Sequence, residues 1–319
     1  MVNTPANFQG GKIEKFVDFW ETLTKDSEIL KYVTGLKVKF DEPLEVSIIK
    51  KEFRFSEIEK QFIKSEINNF LNKRIIEPVL DPGKDIQFVT NIFLRPKSDN
   101  SFRTILKLKE LNHYVSKISF KLSTFISCLK LVKRGCLFAK LDLKDAYFSC
   151  PIAKSDRRFF RFTFEGKLYE FVCLPQGYTD APRVFTKITK PLLALLRRYG
   201  FVSSIYIDDL LLIGENNEEI RDNVKCTIEL FDKAGFTIHP EKSIIQGNTI
   251  ITYLGFIIDS VAFTVKPTKE KVKAVVKKCE IILNKVHISI RELAEMIGIF
   301  VALEPGNFYA PLYYKRLEI

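Results

Sequence analysis

Two different periods of apolar residues run along this chain. Between Lys12 and Leu23, the residues Ile13, Phe16, Val17, Trp20 and Leu23 recur every three or four positions, which predicts an amphipathic helix. A second helical stripe, Ile58, Phe62, Ile67, Phe70 and Leu71, begins just after Ser56, which forms a capping-box pattern with Glu59. From about Val89 the pattern becomes strand-like. "FVTNIFLRPKSDNSFRTILKL" predicts a strand, a polar turn at Ser98–Ser101 and a returning strand. "CLFAKLDLKDAYFSCPI" predicts a strand ending in a polar turn, and "FFRFTFEGKLYEFVCLP" a hairpin with Glu165-Gly166 at its tip.

The helical period returns in "APRVFTKITKPLLALLRRYG", with Phe185, Ile188, Leu192 and Leu195 on one face, Pro191 as a possible kink point and Gly200 as a stop. "SSIYIDDLLLIG" then predicts strand, tight turn, strand. "NNEEIRDNVKCTIELFDKAGF" predicts a helix with Ile220, Val224, Ile228 and Phe231 on one side, ended by Gly235. "ITYLGFIID" and "AFTVKP" predict a short strand pair. Two helices follow Pro267; the first carries Val272, Val275, Val276, Cys279 and Leu283, and the second opens on a Ser289–Glu292 capping box. The middle of the chain therefore runs strand–helix–strand–strand–helix–strand. That order predicts an α+β fold of the ferredoxin-like split type, helices on one face of an antiparallel sheet, with its first and third strands as central neighbours. The last segment reads as a separate helical piece.

Composition narrows the picture only a little. The chain has 319 residues, 46% of them hydrophobic, which is globular and leaves room for two or three domains or one elaborated one. A formal charge of +11 suggests a polyanionic partner, most often nucleic acid, although a merely soluble basic surface gives the same count. The six cysteines, Cys128, Cys136, Cys150, Cys173, Cys226 and Cys279, form no C-x-x-C pair, and His113, His239 and His287 supply no zinc spacing. They read as buried thiols in a reducing compartment. The N-terminus lacks the apolar run of a signal peptide, and no stretch is apolar enough to span a bilayer. The expectation is an intracellular protein, in cytoplasm or nucleus, with no membrane partner.

Asp208 and Asp209 stand between "SIYI" and "LLLIG", where two adjacent carboxylates are costly without a counter-charge. Taken alone, such a pair is a hairpin turn, since Asp favours turns. Company changes that: Asp142, at the end of "LFAKLD", is followed by "LKDAY", then "LPQGYTDAP", then the tyrosine-led "YIDD". In the split topology the strand ends carrying Asp142 and Asp208 lie side by side, and neighbouring carboxylates must share a proton or a cation. Oxygen ligands without His or Cys suit Mg²⁺ or Mn²⁺. Two such ions form the clamp used for in-line phosphoryl transfer.

These motifs together resemble a family. "YIDD" is similar to the Y-x-D-D box of reverse transcriptases. "RPKSDNSFRTILKLKELN", "FAKLDLKDAYFSCPI", "LPQGYTDAPRVF", "AGFTIHPEKS" and "YLGF" follow that family's order and spacing. The resemblance covers Val89 to about Phe256 closely and extends more weakly through "APLYYKRL". The upstream "GGKIEKFVDFWETLTKDSEIL" and the "LKLKELN" form look most like DIRS-type retrotransposons, with gypsy-type elements near neighbours.

The resemblance implies a right-hand polymerase: an N-terminal extension over 1–50, fingers over 51–116, palm over 117–150 and 181–262, a fingers–palm junction over 151–180, and thumb with the start of a connection over 263–319. It implies an RNA-directed DNA polymerase using two Mg²⁺ ions, or Mn²⁺, on an RNA template, a DNA primer–template duplex and dNTPs. Asp142, Asp208 and Asp209 match the catalytic carboxylates and metal ligands, Asp209 being the looser one, and the Leu143 carbonyl matches a further ligand. Lys242 matches a lysine proposed to protonate the leaving pyrophosphate. Tyr147 matches the aromatic gate beneath the incoming sugar, where a ring leaves no room for a 2′-hydroxyl. Arg103 matches a triphosphate-gripping residue, with Lys97 or Arg95 as the second cation. Gln176 and Gly177 match a nucleotide and template contact, the glycine allowing close backbone approach. Tyr206 is assigned with Tyr253, Leu254 and Gly255 to primer contacts. Lys266, Lys269, Lys271, Lys273, Lys277 and Lys278 flank a thumb helix suited to phosphate contacts without sequence preference.

Outside the motif, each of these residues has an ordinary structural reading as turn, core or solvated surface. Two rival functions stand beside the polymerase. A viral RNA-dependent RNA polymerase shares palm and metals, but usually has glycine before the paired aspartates and lacks the aromatic gate, so Tyr206 and Tyr147 speak against it. A decayed or domesticated nucleic-acid-binding relative would no longer polymerise; the three intact carboxylates speak against decay. No acidic constellation of an RNase H domain follows the thumb. The expectation is therefore a fragment, or a polymerase relying on an RNase H segment or other element-encoded proteins.

Overall fold

In the computed structural model, which describes residues 8–96 and 102–317, the middle of the chain forms a four-stranded antiparallel sheet. The strands lie in the order Ile244–Asn248, Leu137–Asp142, Asp209–Gly214, Val202–Tyr206. By chain order these are strands four, one, three and two, the expected split arrangement. The register of the two central strands sets Asp209 opposite Asp142, Leu212 opposite Ala139 and Gly214 opposite Leu137.

Both faces of this sheet are covered. Ala139, Leu141, Leu210 and Leu212 join the main core, where the helices Ala181–Arg198 and Asn217–Lys233 pack. Phe138, Leu211 and Ile213 point the other way, into a second cluster with Cys128, Ile251, Tyr253 and Ile258. Alternate residues thus serve opposite cores, which explains an uninterrupted "LLLI" in place of an apolar–polar alternation. Each such side chain stabilises the fold by about 1.5–3 kcal/mol through burial. Asn223, fully buried, donates from Nδ2 to the carbonyls of Val202 (3.0 Å) and Ile213 (3.1 Å) and so ties its helix to both strands. Helix Ala181–Arg198 runs unbroken past Pro191.

A five-stranded sheet lies beside this unit, in the order Ile48–Ile49, Phe88–Thr90, Arg161–Phe164, Lys167–Phe171, Ile76–Pro78. The expected hairpin at Glu165-Gly166 is present, with positive φ at both tip residues (48° and 72°). Ile92–Pro96 pairs with Phe102–Leu106 as a separate hairpin; its expected turn at Ser98–Ser101 lies outside the described residues.

The helix Glu57–Asn72 starts on the expected capping box, Ser56 accepting from Glu59 and Glu59 accepting from Ser56. Its buried face is Ile63, Ile67 and Phe70, and Ile58 is 77% exposed. Ile58 lies five residues before Ile63 and so points about 140° away around the helix. A helix over Ser27–Gly35, capped by Asp26, was not evident from the stripe pattern. "ITYLGFIID" is also two strands, Ile250–Tyr253 and Phe256–Asp259, which make a three-stranded sheet with Thr264–Pro267 in place of the expected pair. Leu254 and Gly255 turn the chain there with φ of 48° and 79°. The helices Lys269–Leu283 and Ile290–Val301 follow; the first buries none of its expected apolar stripe. No helix among the described residues is long and apolar enough to cross a membrane.

The N-terminal segment is strapped across the molecule. Gly10 N–H donates to the Lys73 carbonyl and Gly11 N–H to that of Phe148, both at 2.8 Å. Trp20, with no exposed surface, donates from Nε1 to the Ala234 carbonyl at 3.1 Å. Gly235 (φ 88°) permits this docking: a Cβ there would lie 2.7 Å from the Phe16 ring and 3.0 Å from Ile13 Cα.

Candidate active site

The site stands where the two central strands end. Tyr206 and Asp209 close a two-residue turn made of Ile207 and Asp208. Among these, only Ile207 has a positive φ, 57°, the signature of a type II′ hairpin, whose first central position normally takes glycine. A β-branched residue there is strained, and such strain gathers at functional sites. The Asp208 carbonyl accepts from Leu143 N–H at 2.9 Å, which pins the turn to the chain just beyond Asp142.

The carboxylates face one another electrostatically. Burial pushes the Asp142 carboxyl above its ordinary range; Lys242 opposes that shift and Asp209 adds to it. Asp208 is open to solvent at its turn, yet the protein crowded around it raises its carboxyl too. A hydrogen bond from its own backbone opposes that rise, while Asp209 and Asp142 add to it. Asp209 instead has a cation: Lys140 Nζ lies 2.9 Å from its carboxylate, both side chains about four-fifths buried. Among the described residues no three acidic, histidine or cysteine side chains are gathered closely enough to enclose a metal ion. The donor set still fits a hard cation: carboxylate oxygens only, two of them held in a charge state that a cation would relieve.

The segment after Gly235 docks onto the same strand end. His239 N–H donates to the Asp142 carbonyl at 2.8 Å, and Asp142 N–H donates to Ser243 Oγ at 3.1 Å. Ser243 Oγ in turn donates to the His239 carbonyl at 2.7 Å, closing the turn Pro240–Lys242. Lys242, itself exposed, is thereby held where its charge acts on both Asp142 and Asp208.

Tyr147 lies within reach of the charges of Asp208 and Tyr206. Burial, then the Asp208 charge, pushes its phenol up to about 12. Its ring packs edge-on against Phe185, with centroids 5.6 Å apart. Tyr253, fully buried, donates its hydroxyl to the Asp209 carbonyl at 3.1 Å, while Leu254 and Gly255 form the turn beyond it. Gly177 (φ 97°) comes close to the Leu106 carbonyl, and Asn112 clamps the loop, donating to the Gly177 carbonyl and accepting from Thr179 N–H. Gly177 is thus set against the hairpin strand carrying Arg103, with Gln176 next to it in the chain. Arg95 lies directly opposite Arg103 across that hairpin, both exposed; Lys97 lies outside the described residues. Opposed like charges destabilise a strand pair unless an anion lies between them. A cavity of about 640 Å³ opens here, lined by residues including Phe53, Phe93, Lys107, Lys109 and Gly177.

Sequence reasoning missed Lys140, Ser243 and Asn112. Lys140 had a signal: two residues before Asp142, it shares that residue's face of the strand. Ser243 and Asn112 had none, because they act through backbone groups that only the fold brings near.

Residues 95–258, just over half of the chain, match the family model described as reverse transcriptase (RNA-dependent DNA polymerase). The Gag-Pol polyprotein of Rous sarcoma virus subgroup B (strain Schmidt-Ruppin) is 29% identical over 180 residues, 54% of this chain and 11% of that protein. The retrovirus-related Pol polyprotein from transposon gypsy of Drosophila melanogaster is 25% identical over 67% of this chain and 20% of its own length. The transposon Tf2-3 polyprotein of Schizosaccharomyces pombe is 24% identical over 66% and 15% respectively. The chain thus spans no more than a fifth of these curated relatives. Among solved structures, a foamy viral protease-reverse transcriptase in complex with double-stranded DNA superposes with a TM-score of 0.69 at 19% identity, over all of this chain and 57% of that one. Another, in complex with an RNA/DNA hybrid, gives 0.66 at 20% identity, over 99% of this chain and 43% of that one. The fold is that of the right-hand polymerases, and the chain belongs to the reverse transcriptase (RNA-dependent DNA polymerase) family.

Proposed function

We propose that this chain is the polymerase of a retroelement of the DIRS type, extending a primer 3′-hydroxyl with dNTPs on an RNA or DNA template. The observation that carries the reading is that Asp142 and Asp209 stand opposite each other where two central strands end, with Asp208 in the adjoining turn and the charge of Lys242 acting on Asp142 and Asp208. The relatives are Pol polyproteins of retroviruses and transposons, and the structural neighbours hold double-stranded DNA or an RNA/DNA hybrid, which supports nucleic acid as the partner.

Asp142 and Asp208, with the Leu143 carbonyl, are the groups to hold divalent metal, with Asp209 as a looser third once it leaves Lys140. Two Mg²⁺ or Mn²⁺ ions, when bound, acidify the attacking hydroxyl and steady the leaving oxygen. The remaining residues position and select. Arg103 grips the triphosphate, with Arg95, directly opposite it in the hairpin, or Lys97 as the second cation. Gln176 and Gly177 border the nucleotide. Tyr147 excludes a 2′-hydroxyl by occupying its space. Lys242 hands a proton to the departing pyrophosphate. Tyr206, Tyr253, Leu254 and Gly255 set the primer end against Asp208. The basic helix Lys269–Leu283 follows the duplex phosphates as a thumb. The six free thiols agree with an intracellular setting, cytoplasmic or nuclear.

Primer extension on an RNA template with Mg²⁺ and dNTPs, beside Asp208→Asn, tests this. Incorporation by the native chain and a loss of at least about a thousandfold in the variant are expected. A folded, template-binding native chain that incorporates nothing overturns the enzyme, and equal rates overturn the role of Asp208.

A further inference from the structure

The ring of Tyr147 is the end of a continuous aromatic chain that begins in the N-terminal segment. Tyr147 meets Phe185 at 5.6 Å between centroids with an interplanar angle of 90°. Phe185 meets Phe236 at 5.7 Å and 76°, and Phe236 meets Trp20 at 6.4 Å and 78°. All three contacts are edge-to-face, the arrangement that ring quadrupoles favour and that resists sliding. Trp20, Phe185 and Phe236 are at most 1% exposed, so none can tilt without displacing packed neighbours. Trp20 is locked at its far end by the hydrogen bond from Nε1 to the Ala234 carbonyl.

The four rings come from four separate parts of the chain: the N-terminal helix Val17–Leu23, the short helix after Asp142, the helix Ala181–Arg198, and the segment after Gly235. That last segment also holds the catalytic strand through backbone bonds, Thr237 accepting from Lys144 at 2.8 Å and His239 donating to Asp142. The N-terminal segment therefore bears on the site by two routes. The backbone route fixes Asp142, and the ring route ends on Tyr147, in the short helix just after the Asp142 strand. Phe236 has a further neighbour in Phe231, at 5.7 Å, which braces it from the helix Asn217–Lys233.

We propose that Trp20, acting through Phe236 and Phe185, is a positioning residue for Tyr147 and so sets how strictly the enzyme rejects ribonucleotides. This rests on the reverse-transcriptase reading of the site. Exclusion by a ring depends on where the ring is held, because a wall that yields by a fraction of an ångström admits one more oxygen. Trp20 touches no substrate. Its loss along the ring route is felt by the nucleotide whose 2′-hydroxyl presses on Tyr147, while the backbone bonds of Thr237 and His239 still hold Asp142.

The test compares Trp20→Leu, Trp20→Phe and Phe236→Leu with the native chain, reading kcat and KM separately for a dNTP and the matching rNTP. In Trp20→Leu the discrimination ratio is expected to fall about three- to tenfold, the equivalent of one edge-to-face contact, with kcat for the dNTP little changed. Trp20→Phe, which keeps a ring, restores most of the ratio, and in a Tyr147→Ala background Trp20→Leu changes it no further. A merely structural role lowers activity on both nucleotides equally and leaves the ratio intact, and that result overturns the proposal. If Trp20→Leu does not fold, Phe236→Leu carries the same comparison. A second arm needs no activity. 3-Fluorotyrosine at position 147 gives a ¹⁹F resonance that shifts or broadens in Trp20→Leu; an unchanged resonance overturns the coupling. A native chain that incorporates no dNTP sinks the polymerase reading, while the fluorine signal still decides whether Trp20 holds Tyr147.

Discussion

Asp142 and Asp209 sit directly opposite each other in the central strand pair, yet the Asp209 carboxylate is engaged by Lys140 at 2.9 Å. Lys140 gives Asp209 a counter-charge of its own, while Asp142 and Asp208 bear the cost of their crowded surroundings and of the Asp209 charge.

That cost predicts a response to metal. A carboxyl raised above its ordinary range destabilises the fold while it is ionised, and the penalty is removed by protonation, by a neutral isostere or by a cation. In chelator at pH 7, Asp208→Asn is expected to melt about 1–3 °C above the native chain. Mg²⁺ is expected to raise the melting temperature of the native chain more than that of the variant. Thermal denaturation with and without Mg²⁺ checks both; a lower melting point for the variant in chelator, with equal gains from Mg²⁺, sinks the idea.

Lys140→Met removes the only counter-charge that the described residues place on Asp209. Leaving a largely buried carboxylate without its partner is expected to cost about 1–3 kcal/mol, less than for a fully buried pair. Urea denaturation measures it, and a neutral outcome means the ion pair does not form in solution.

Ser243→Ala deletes the hydroxyl that joins Asp142 N–H to the His239 carbonyl. The expected loss is about 1–2 kcal/mol of stability. A lower primer-extension rate follows, because the same turn holds Lys242. Unchanged rate with reduced stability would separate Lys242 from the reaction.

The N-terminal strap has its own pH dependence. Glu28 accepts from Lys187, Tyr32 and Lys39, and the Lys187 bond holds its carboxyl well below the ordinary 4.5. A lowered carboxyl contributes stability that is fully present above the unfolded value and is lost as pH falls through the folded one. The native chain should therefore lose stability below about pH 4.5 more steeply than Glu28→Gln. Melting curves between pH 7 and pH 3 give the slopes, and parallel slopes refute the role of Glu28.

Gly235→Ala and Gly166→Ala both place a side chain at positive φ, but only the first collides with a neighbour. Gly235→Ala should be the more destabilising by about 1–3 kcal/mol, because Phe16 and the Ile13 backbone must move. Equal losses in denaturation would mean the strap is not seated on Gly235.

Much of this protein is legible in its residue pattern. The strand–helix order fixes the split sheet because each local period allows one partner face, and two capping boxes announce helix starts that the fold keeps at Ser56 and Ser289. The carboxylates were legible as well, since Asp142 and the Asp208-Asp209 pair fall at strand ends that the topology makes neighbours. What no local pattern could show is which side chains act at a distance. Whether Ile58 faces inward, that "ITYLGFIID" folds back on itself, and that Leu211 and Leu212 serve opposite cores all depend on partners from remote segments. The sequence by itself determined the chemistry available at one end of the sheet. Only the tertiary structure decided that Lys140 holds Asp209, that Ser243 ties the Lys242 turn to Asp142, and that Trp20 reaches Tyr147 through two rings. Those contacts span from 38 to 216 residues. Local periodicity carries no information over such separations, and packing does.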